Sequence, residues 1–347
     1  MPFHSIAVVG SINEDFIVHE GGKKHSYGGI LYNLAALSTL LPEAKIFPAA
    51  FLGTNIWPRV GSLSLNLTNI DWGTTGKLKR KSNQVTLFYS LSGEKREILK
   101  CPVPAFGWQN LDPALGVDVI LLNFISGWEV SPALFKKLRQ KFSGWIHVDL
   151  HSLLLGIRKY GQRFARVPKG WEVFLDADFV QMNQNEWELV AGASYNKKNL
   201  FRFCRRWQRK RWKAIIVTLA EKGATAVFRE FSQGRSLGHA FSTLLPRPSS
   251  GQVRTSRDKK PLGYPFGYSV KAPRVRRAEP TGAGDFFAAG FISAILEKKS
   301  FSAALKRGVQ TASWKCRYEG IEAILKHRKE LSQFLTTRSR RTKLPFR

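Results

Sequence analysis

The chain has 347 residues, with 55 Lys and Arg against 25 Asp and Glu, a formal charge of +30. Apolar residues make up 43%, enough for a buried core and too many for a disordered chain. The length suits one large α/β domain or two smaller ones.

No run reaches the roughly 18 apolar residues that a membrane helix requires. The best candidates, Val119–Trp128 and Ala288–Leu296, are about half as long, so no membrane partner is expected. The first residues lack a basic segment ahead of an apolar run, which predicts no signal peptide. Cys101, Cys204 and Cys316 are widely spaced and odd in number. They fit neither a disulfide framework nor a zinc site, and predict a reducing, cytoplasmic setting.

The positive charge is uneven. Lys197–Lys213 holds nine basic residues and no acid. Arg247–Arg277 holds nine against Asp258, and Lys326–Arg347 eight against Glu330. Together these stretches carry 24 of the 30 net charges. The remainder is a globular chain of nearly ordinary charge.

Strand and helix patterns alternate along the chain. Ile6–Gly10 predicts a short buried strand, Ile30–Leu41 a helix against a sheet, and Lys45–Phe51 another strand. Val85–Leu91 and Glu94–Leu99 flank Ser92-Gly93, a hairpin signal. Val117–Asn123 and Trp145–Leu150 predict buried strands around a helix at Pro132–Lys141. Phe179–Met182, a helix from Asn185 and a basic helix near Asn199–Arg211 lead to the strand Ala214–Leu219. Helices are predicted at Ala283–Leu296, Phe301–Cys316 and Ile321–Phe334. This rhythm predicts a mostly parallel sheet covered by helices on both faces. Ser232–Gly267 breaks it and predicts an inserted loop rich in Ser, Gly, Pro and basic residues. Thr336–Arg347 predicts a frayed basic tail behind a domain spanning residues 1–335.

The most informative segment is Glu279-Pro280-Thr281-Gly282-Ala283-Gly284-Asp285-Phe286-Phe287. Small residues precede an apolar helix. Gly282, Ala283 and Gly284 let several backbone amides converge at its N-terminus, where the helix dipole also favours an anion. Asp285, in the first turn, is placed to accept a proton from an attacking hydroxyl while the amides stabilise a phosphoryl group. From spacing alone, a glycine-rich helix start with a helix-favouring Asp accounts for the same residues equally well.

The segment TGAGDFFAAGF resembles the C-terminal signature of the ribokinase/PfkB family of carbohydrate kinases. Four further segments resemble that family's landmarks in the same order. They are Gly10-Ser11-Ile12-Asn13-Glu14-Asp15, Gly28-Gly29-Ile30-Leu31-Tyr32-Asn33, Asn183-Gln184-Asn185-Glu186 and Val217–Ala224. The resemblance runs from about Ile6 to Phe334. It implies a ribokinase-like α/β fold: a mostly parallel central sheet, helices on both faces and a small β lid. Here the lid is expected from about residues 15–28, completed by residues 85–99.

The resemblance also implies an ATP-dependent kinase acting on a hydroxymethyl group of a sugar, nucleoside or related alcohol. Asp285 would be the base, and Gly282, Ala283 and Gly284 the anion hole. Asn13, Asp15, Gly28, Gly29 and Asn33 would meet the acceptor; Thr218, Gly223 and Thr281 would meet ATP. Asn183 and Glu186 would organise Mg²⁺ through water, in keeping with an ion that retains several waters. Read without the resemblance, Asn183 and Glu186 form a helix-capping pattern. Two positions depart from the family pattern: Ala220 stands where Gly is usual, and Glu279 where Asp is usual. Some members hold a monovalent cation near the latter, and Glu279 leaves a K⁺ requirement open. Asp149, at a strand end, suits either the Mg²⁺ and phosphate network or a structural cap.

A second class of function competes. Phe201–Trp212 interleaves Arg with aromatics, as a nucleic-acid-binding surface does. The same pattern is expected of a solvated helix with Phe203 and Trp207 packed on a sheet, and that reading is favoured. Oligomeric state and acceptor identity are not encoded in any of these motifs.

Overall fold

The computed structural model describes residues 4–19, 22–89, 95–229, 266–275 and 279–340. The expected turn at Ser92-Gly93 and nearly all of the expected insertion lie outside these residues.

The runs rich in Val, Ile and Leu build an eight-stranded sheet. Its order is Phe266–Val270, Ala224–Phe228, Ala214–Thr218, Phe179–Asn183, Trp145–Asp149, Val119–Asn123, Ser5–Val9 and Lys45–Ala49. From Ala214–Thr218 to Lys45–Ala49 every neighbour is parallel. The first two strands are antiparallel additions at the edge. Parallel strands need both faces covered, which is why Val119–Asn123 is buried at every position. Alternate residues of that strand serve opposite faces. Val119 and Leu121 pack with Leu34, Leu37 and Ala289, whereas Ile120 and Leu122 pack with Phe135, Trp187 and Phe203. Helices Leu31–Leu40 and Ala283–Leu296 thus cover one face. Pro132–Lys141, Gln184–Ala191 and Lys197–Arg206 cover the other.

A second sheet has four strands in the order Gly22–Gly29, Ile12–His19, Gln84–Tyr89 and Lys95–Lys100. It is the small lid. Ile17, Val85, Leu87 and Leu99 form its own apolar cluster. Asn13 and Asp15 sit within a lid strand. The chain passes from Val9 through Gly10-Ser11 and re-enters extended backbone at once. Asn13, Asp15 and Ile17 are buried while Glu14, Phe16 and Val18 are less so, and a period of two puts the first three on one face.

Four other expectations change. Phe266–Val270 is an edge strand, so the end of the expected insertion belongs to the sheet. The last expected helix is two, Gly320–His327 and Lys329–Arg340. They meet at Arg328, whose guanidinium is drawn to the Asn66 carbonyl. The second runs through residues 336–340, which were expected to fray. The basic helix is Lys197–Arg206, shorter than expected. Phe203 is buried, and its ring lies 6.3 Å from Trp171, which in turn is 6.1 Å from Trp207. Phe203 belongs to the core, and the partly buried Trp207 packs against it. Among the described residues no helix is long and apolar enough to cross a membrane.

Candidate active site

Sheet register brings polar side chains together at the carboxyl ends of the parallel strands, where α/β sheets bind ligands. Asn123 pairs across from Asp149, Asp149 from Gln181, and Asn183 from Thr218. These strand ends, the inner face of the lid and the start of helix Ala283–Leu296 enclose a cavity of about 420 Å³.

Asp285 is the most constrained group in it. Asn123 donates from Nδ2 to Asp285 Oδ1 at 2.5 Å and to Asn33 Oδ1 at 2.9 Å. Asn33 donates in turn to the Asp285 carbonyl at 3.0 Å. Burial pushes the Asp285 carboxyl above the ordinary carboxylate range. The charge on His151, the Asn123 amide and Lys315 pull it back in part. A buried carboxyl with a raised pKa is a stronger base once ionised, which suits proton abstraction.

The helix start beside it has two amides to offer, not three. Ala283 N–H donates to the Pro280 carbonyl at 2.9 Å. Thr281 N–H donates to Glu279 Oε1 at 2.9 Å. Gly282 and Gly284 have no amide acceptor among the described residues. Gly282 is required by its backbone: φ is +79°, and a Cβ there would sit 2.5 Å from the Tyr32 ring. Tyr32 therefore forms a floor under this helix start.

The other strand ends form a carboxylate group. Gln181 donates to Asp149 Oδ2 at 2.7 Å and to the Gly284 carbonyl at 3.0 Å, tying the strand to the helix start. Burial, with repulsion from Glu186 and Asp285, pushes Asp149 well above its ordinary range. Asn183 and Glu186 form a reciprocal helix cap. The Asn183 amide donates to Glu186 Oε2 at 2.7 Å, and the Glu186 amide to Asn183 Oδ1 at 2.9 Å. His151 Nδ1 lies 3.4 Å from Glu186 Oε1. Behind this row, His147 is held between Gln181 and aromatic rings, and burial lowers it to about 3. It is a neutral core residue.

On the lid side, Asn83 donates to Asn13 Oδ1 at 3.0 Å and to Ser126 Oγ at 2.7 Å. Gly28 makes room for Asp15: a Cβ at Gly28 would come 2.1 Å from Asp15 Oδ2. The loop below is pinned by Glu129, which is 1% exposed. It accepts from the amides of Ile125, Ser126 and Gly127 at 3.0, 2.5 and 2.9 Å.

Most residues expected at the site converge there. Asn13, Asp15 and Gly29 line the lid side; Asp285, Gly282 and Gly284 the centre; Thr281, Thr218, Asn183 and Glu186 the remainder. Gly28, Asn33, Ala283 and Gly223 do not line the cavity. Gly223 answers to packing, since a Cβ there would be 1.9 Å from the Val270 carbonyl. Asn123, Gln181, Glu97 and Tyr32 were not anticipated. Asn123 and Gln181 carried a signal, as polar residues at the ends of buried apolar strands. Ala220, where the family usually has Gly, holds φ +49° at the cavity wall, a conformation Gly would adopt freely.

The layers, the parallel sheet with its antiparallel edge and the small lid define a ribokinase-like fold. Residues 266–328 match the pfkB family carbohydrate kinases, so the resemblance read in the sequence is shown there as well. A sulfate complex of a pyrophosphate-dependent kinase in the ribokinase family is similar in structure, with a TM-score of 0.69 at 18% identity. The alignment covers 92% of this chain and 100% of that one. Ribokinase from Thermotoga maritima is similar with a TM-score of 0.66 at 18% identity, covering 96% of this chain and 100% of that one. Arabidopsis thaliana ribokinase, complexed with ribose and ATP, gives 0.65 at 17%, covering 96% and 99%. No curated protein matches the sequence.

Proposed function

We propose that this chain is a phosphotransferase that moves a phosphoryl group from ATP to a hydroxyl, preferably a hydroxymethyl, of an uncharged polyol, sugar or nucleoside. One observation carries the reading. A part-buried carboxyl, Asp285, stands beside two unsatisfied helix-start amides, Gly282 and Gly284, in one cavity with Asn13 and Asp15.

In this reading Asn13 and Asp15 hold the acceptor. An ionised Asp accepts two hydrogen bonds from neighbouring hydroxyls, and an Asn amide adds donors. Asp285 takes the proton of the attacking hydroxyl. The Gly282 and Gly284 amides meet the charge on the transferred group. The lid excludes water, the competing acceptor. The donor phosphates extend toward Thr281, Thr218 and the Asn183–Glu186 cap.

The carboxylates fit Mg²⁺. Asp149 is pushed toward its neutral form partly by Glu186 and Asp285, a repulsion that a divalent cation relieves. No three His, Cys, Asp or Glu among the described residues form a complete ligand set. That suits an ion that keeps waters and takes phosphate oxygens. Glu186 and Asp149 would hold it, with Asn183 orienting Glu186. Bound there, Mg²⁺ would neutralise charge on the donor phosphates.

The charge of the cavity wall supports an uncharged acceptor. Among the described residues, Asp15, Glu97, Asp149, Glu186 and Asp285 line it, with His151 as the only basic side chain and no Lys or Arg. A phosphorylated sugar would meet carboxylates on the acceptor side. The test is purified protein with Mg-ATP, and in parallel Mg-pyrophosphate, over sugars, nucleosides, cyclic polyols and their monophosphates. Transfer to an uncharged acceptor from ATP is expected. Preference for monophosphates overturns the acceptor class, and transfer only from pyrophosphate overturns the donor.

A further inference from the structure

Lys315 ends helix Phe301–Lys315 and is 0% exposed. A buried ammonium is costly unless it is closely paired. Its hydrogen-bonding partners both belong to Glu279, at the start of the segment that leads into the proposed anion hole. Lys315 Nζ donates to the Glu279 carbonyl at 3.0 Å and forms an ion pair with Glu279 Oε2. The other oxygen, Glu279 Oε1, accepts from Thr281 N–H. The ammonium also lies 5.5 Å from the centre of the Tyr32 ring, on which Gly282 rests. The same loop is anchored again where Glu279 N–H donates to the Cys316 carbonyl at 3.0 Å. A continuous set of contacts therefore runs from Lys315 through Glu279 and Thr281 to Gly282, and through Tyr32 to the same glycine.

The segment does not fit a monovalent metal ion. The carbonyl and carboxylate oxygens of Glu279 that would ligate one already accept from Lys315. We infer that the Lys315 ammonium is a tethered cation that holds Glu279–Gly282 in its anion-binding shape, so that phosphate binding and transfer need no monovalent metal. Lys315 is a positioning residue: it acts through Glu279, Thr281 and Tyr32. The Glu279 side chain reaches a cation fixed to the end of helix Phe301–Lys315.

The transfer step rests on the proposed function, so the test has arms that do not depend on turnover. Melting temperature and inorganic pyrophosphate affinity are measured in KCl, NaCl and choline chloride at equal ionic strength. Turnover on the best acceptor is measured in the same media. The full-length protein should give the same values in all three. A several-fold gain in affinity or turnover, or a higher melting temperature, in K⁺ over choline overturns the inference.

Lys315→Ala should lose about tenfold or more in pyrophosphate affinity and turnover in choline, the scale for removing a group that supports reactive residues. Added ammonium or K⁺ should restore part of both. Unchanged affinity in choline, or loss without rescue in a folded variant, overturns the positioning role. If that variant does not fold, the ion-exchange arms on the unaltered protein still decide the question. If no acceptor is phosphorylated in any medium, the proposed function fails while the melting and binding arms still report on Lys315.

Discussion

The two ends of the cavity are built differently. In the proposed function, the working groups at the phosphate end are two backbone amides and one carboxyl, fixed by the start of a helix whose next residues are all buried. At the acceptor end they are side chains, Asn13, Asp15 and Glu97, carried on a small sheet with an apolar cluster of four buried residues. Backbone donors present the same chemistry whatever the acceptor. Side chains on a thin sheet can be exchanged without dismantling the core. Substitutions at the first end should therefore lower turnover for every acceptor, and those at the second should reorder acceptors.

The largest effect is expected at Asp285. Asp285→Asn should lower kcat about 10²-fold or more for all acceptors, the usual worth of a positioned base. Stability should move the other way. Burial raises the folded-state pKa above that of the unfolded chain, so protonation stabilises the fold. That contribution is present below the unfolded pKa and lost as pH rises through the raised folded value. At neutral pH the variant should melt at an equal or higher temperature; a clearly lower one, by calorimetry, would contradict this.

Gly282→Ala comes next. It forces a left-handed alanine, costing about 1–2 kcal/mol, and drives a methyl group into the Tyr32 ring. Donor affinity should fall with every acceptor, as isothermal titration with the donor would register. Unchanged donor affinity would separate Gly282 from the anion hole.

Asp15→Asn should be milder and selective. Losing a charged hydrogen-bond acceptor is worth about 1.5–3 kcal/mol, so acceptor KM should rise about tenfold or more. Donor affinity should stay the same. A fall in kcat with KM unchanged would place Asp15 in the chemical step and blur the distinction between the two ends.

The smallest effect is expected at Ala220→Gly. Relief of the left-handed alanine is offset by the larger unfolded-state entropy of Gly, for a net gain of up to about 1 kcal/mol. Denaturant unfolding would measure it; a loss of stability would show that the Ala220 methyl makes contacts worth more than its strain.

The phosphate end was more legible in the sequence because it is local. Gly282, Gly284 and Asp285 lie within four residues, and helix-start geometry dictates what they do. Even so, the commitment of the Ala283 amide to Pro280 depended on the preceding turn. The acceptor end and the strand ends are assembled from distant segments. Asn123 reaches Asp285 only because sheet register places its strand between Ser5–Val9 and Trp145–Asp149. Its apolar run predicted a buried strand but not what its last residue touches. Lys315 carried no signal in the sequence, and its burial follows from how helices Ala283–Leu296 and Phe301–Lys315 pack around Tyr32 and Glu279. Asn13 and Asp15 were found by motif, but their place in a strand was not legible, since a strand that follows another after two residues shows no turn signal.

The most direct measurement compares the unaltered protein with Asp285→Asn, following ³¹P signals of Mg-ATP with an uncharged hydroxymethyl acceptor. The account predicts a new phosphomonoester signal from the unaltered protein. It also predicts formation slowed about 10²-fold or more in the variant. Equal rates in the two proteins, or no phosphomonoester from any hydroxyl acceptor, would contradict it.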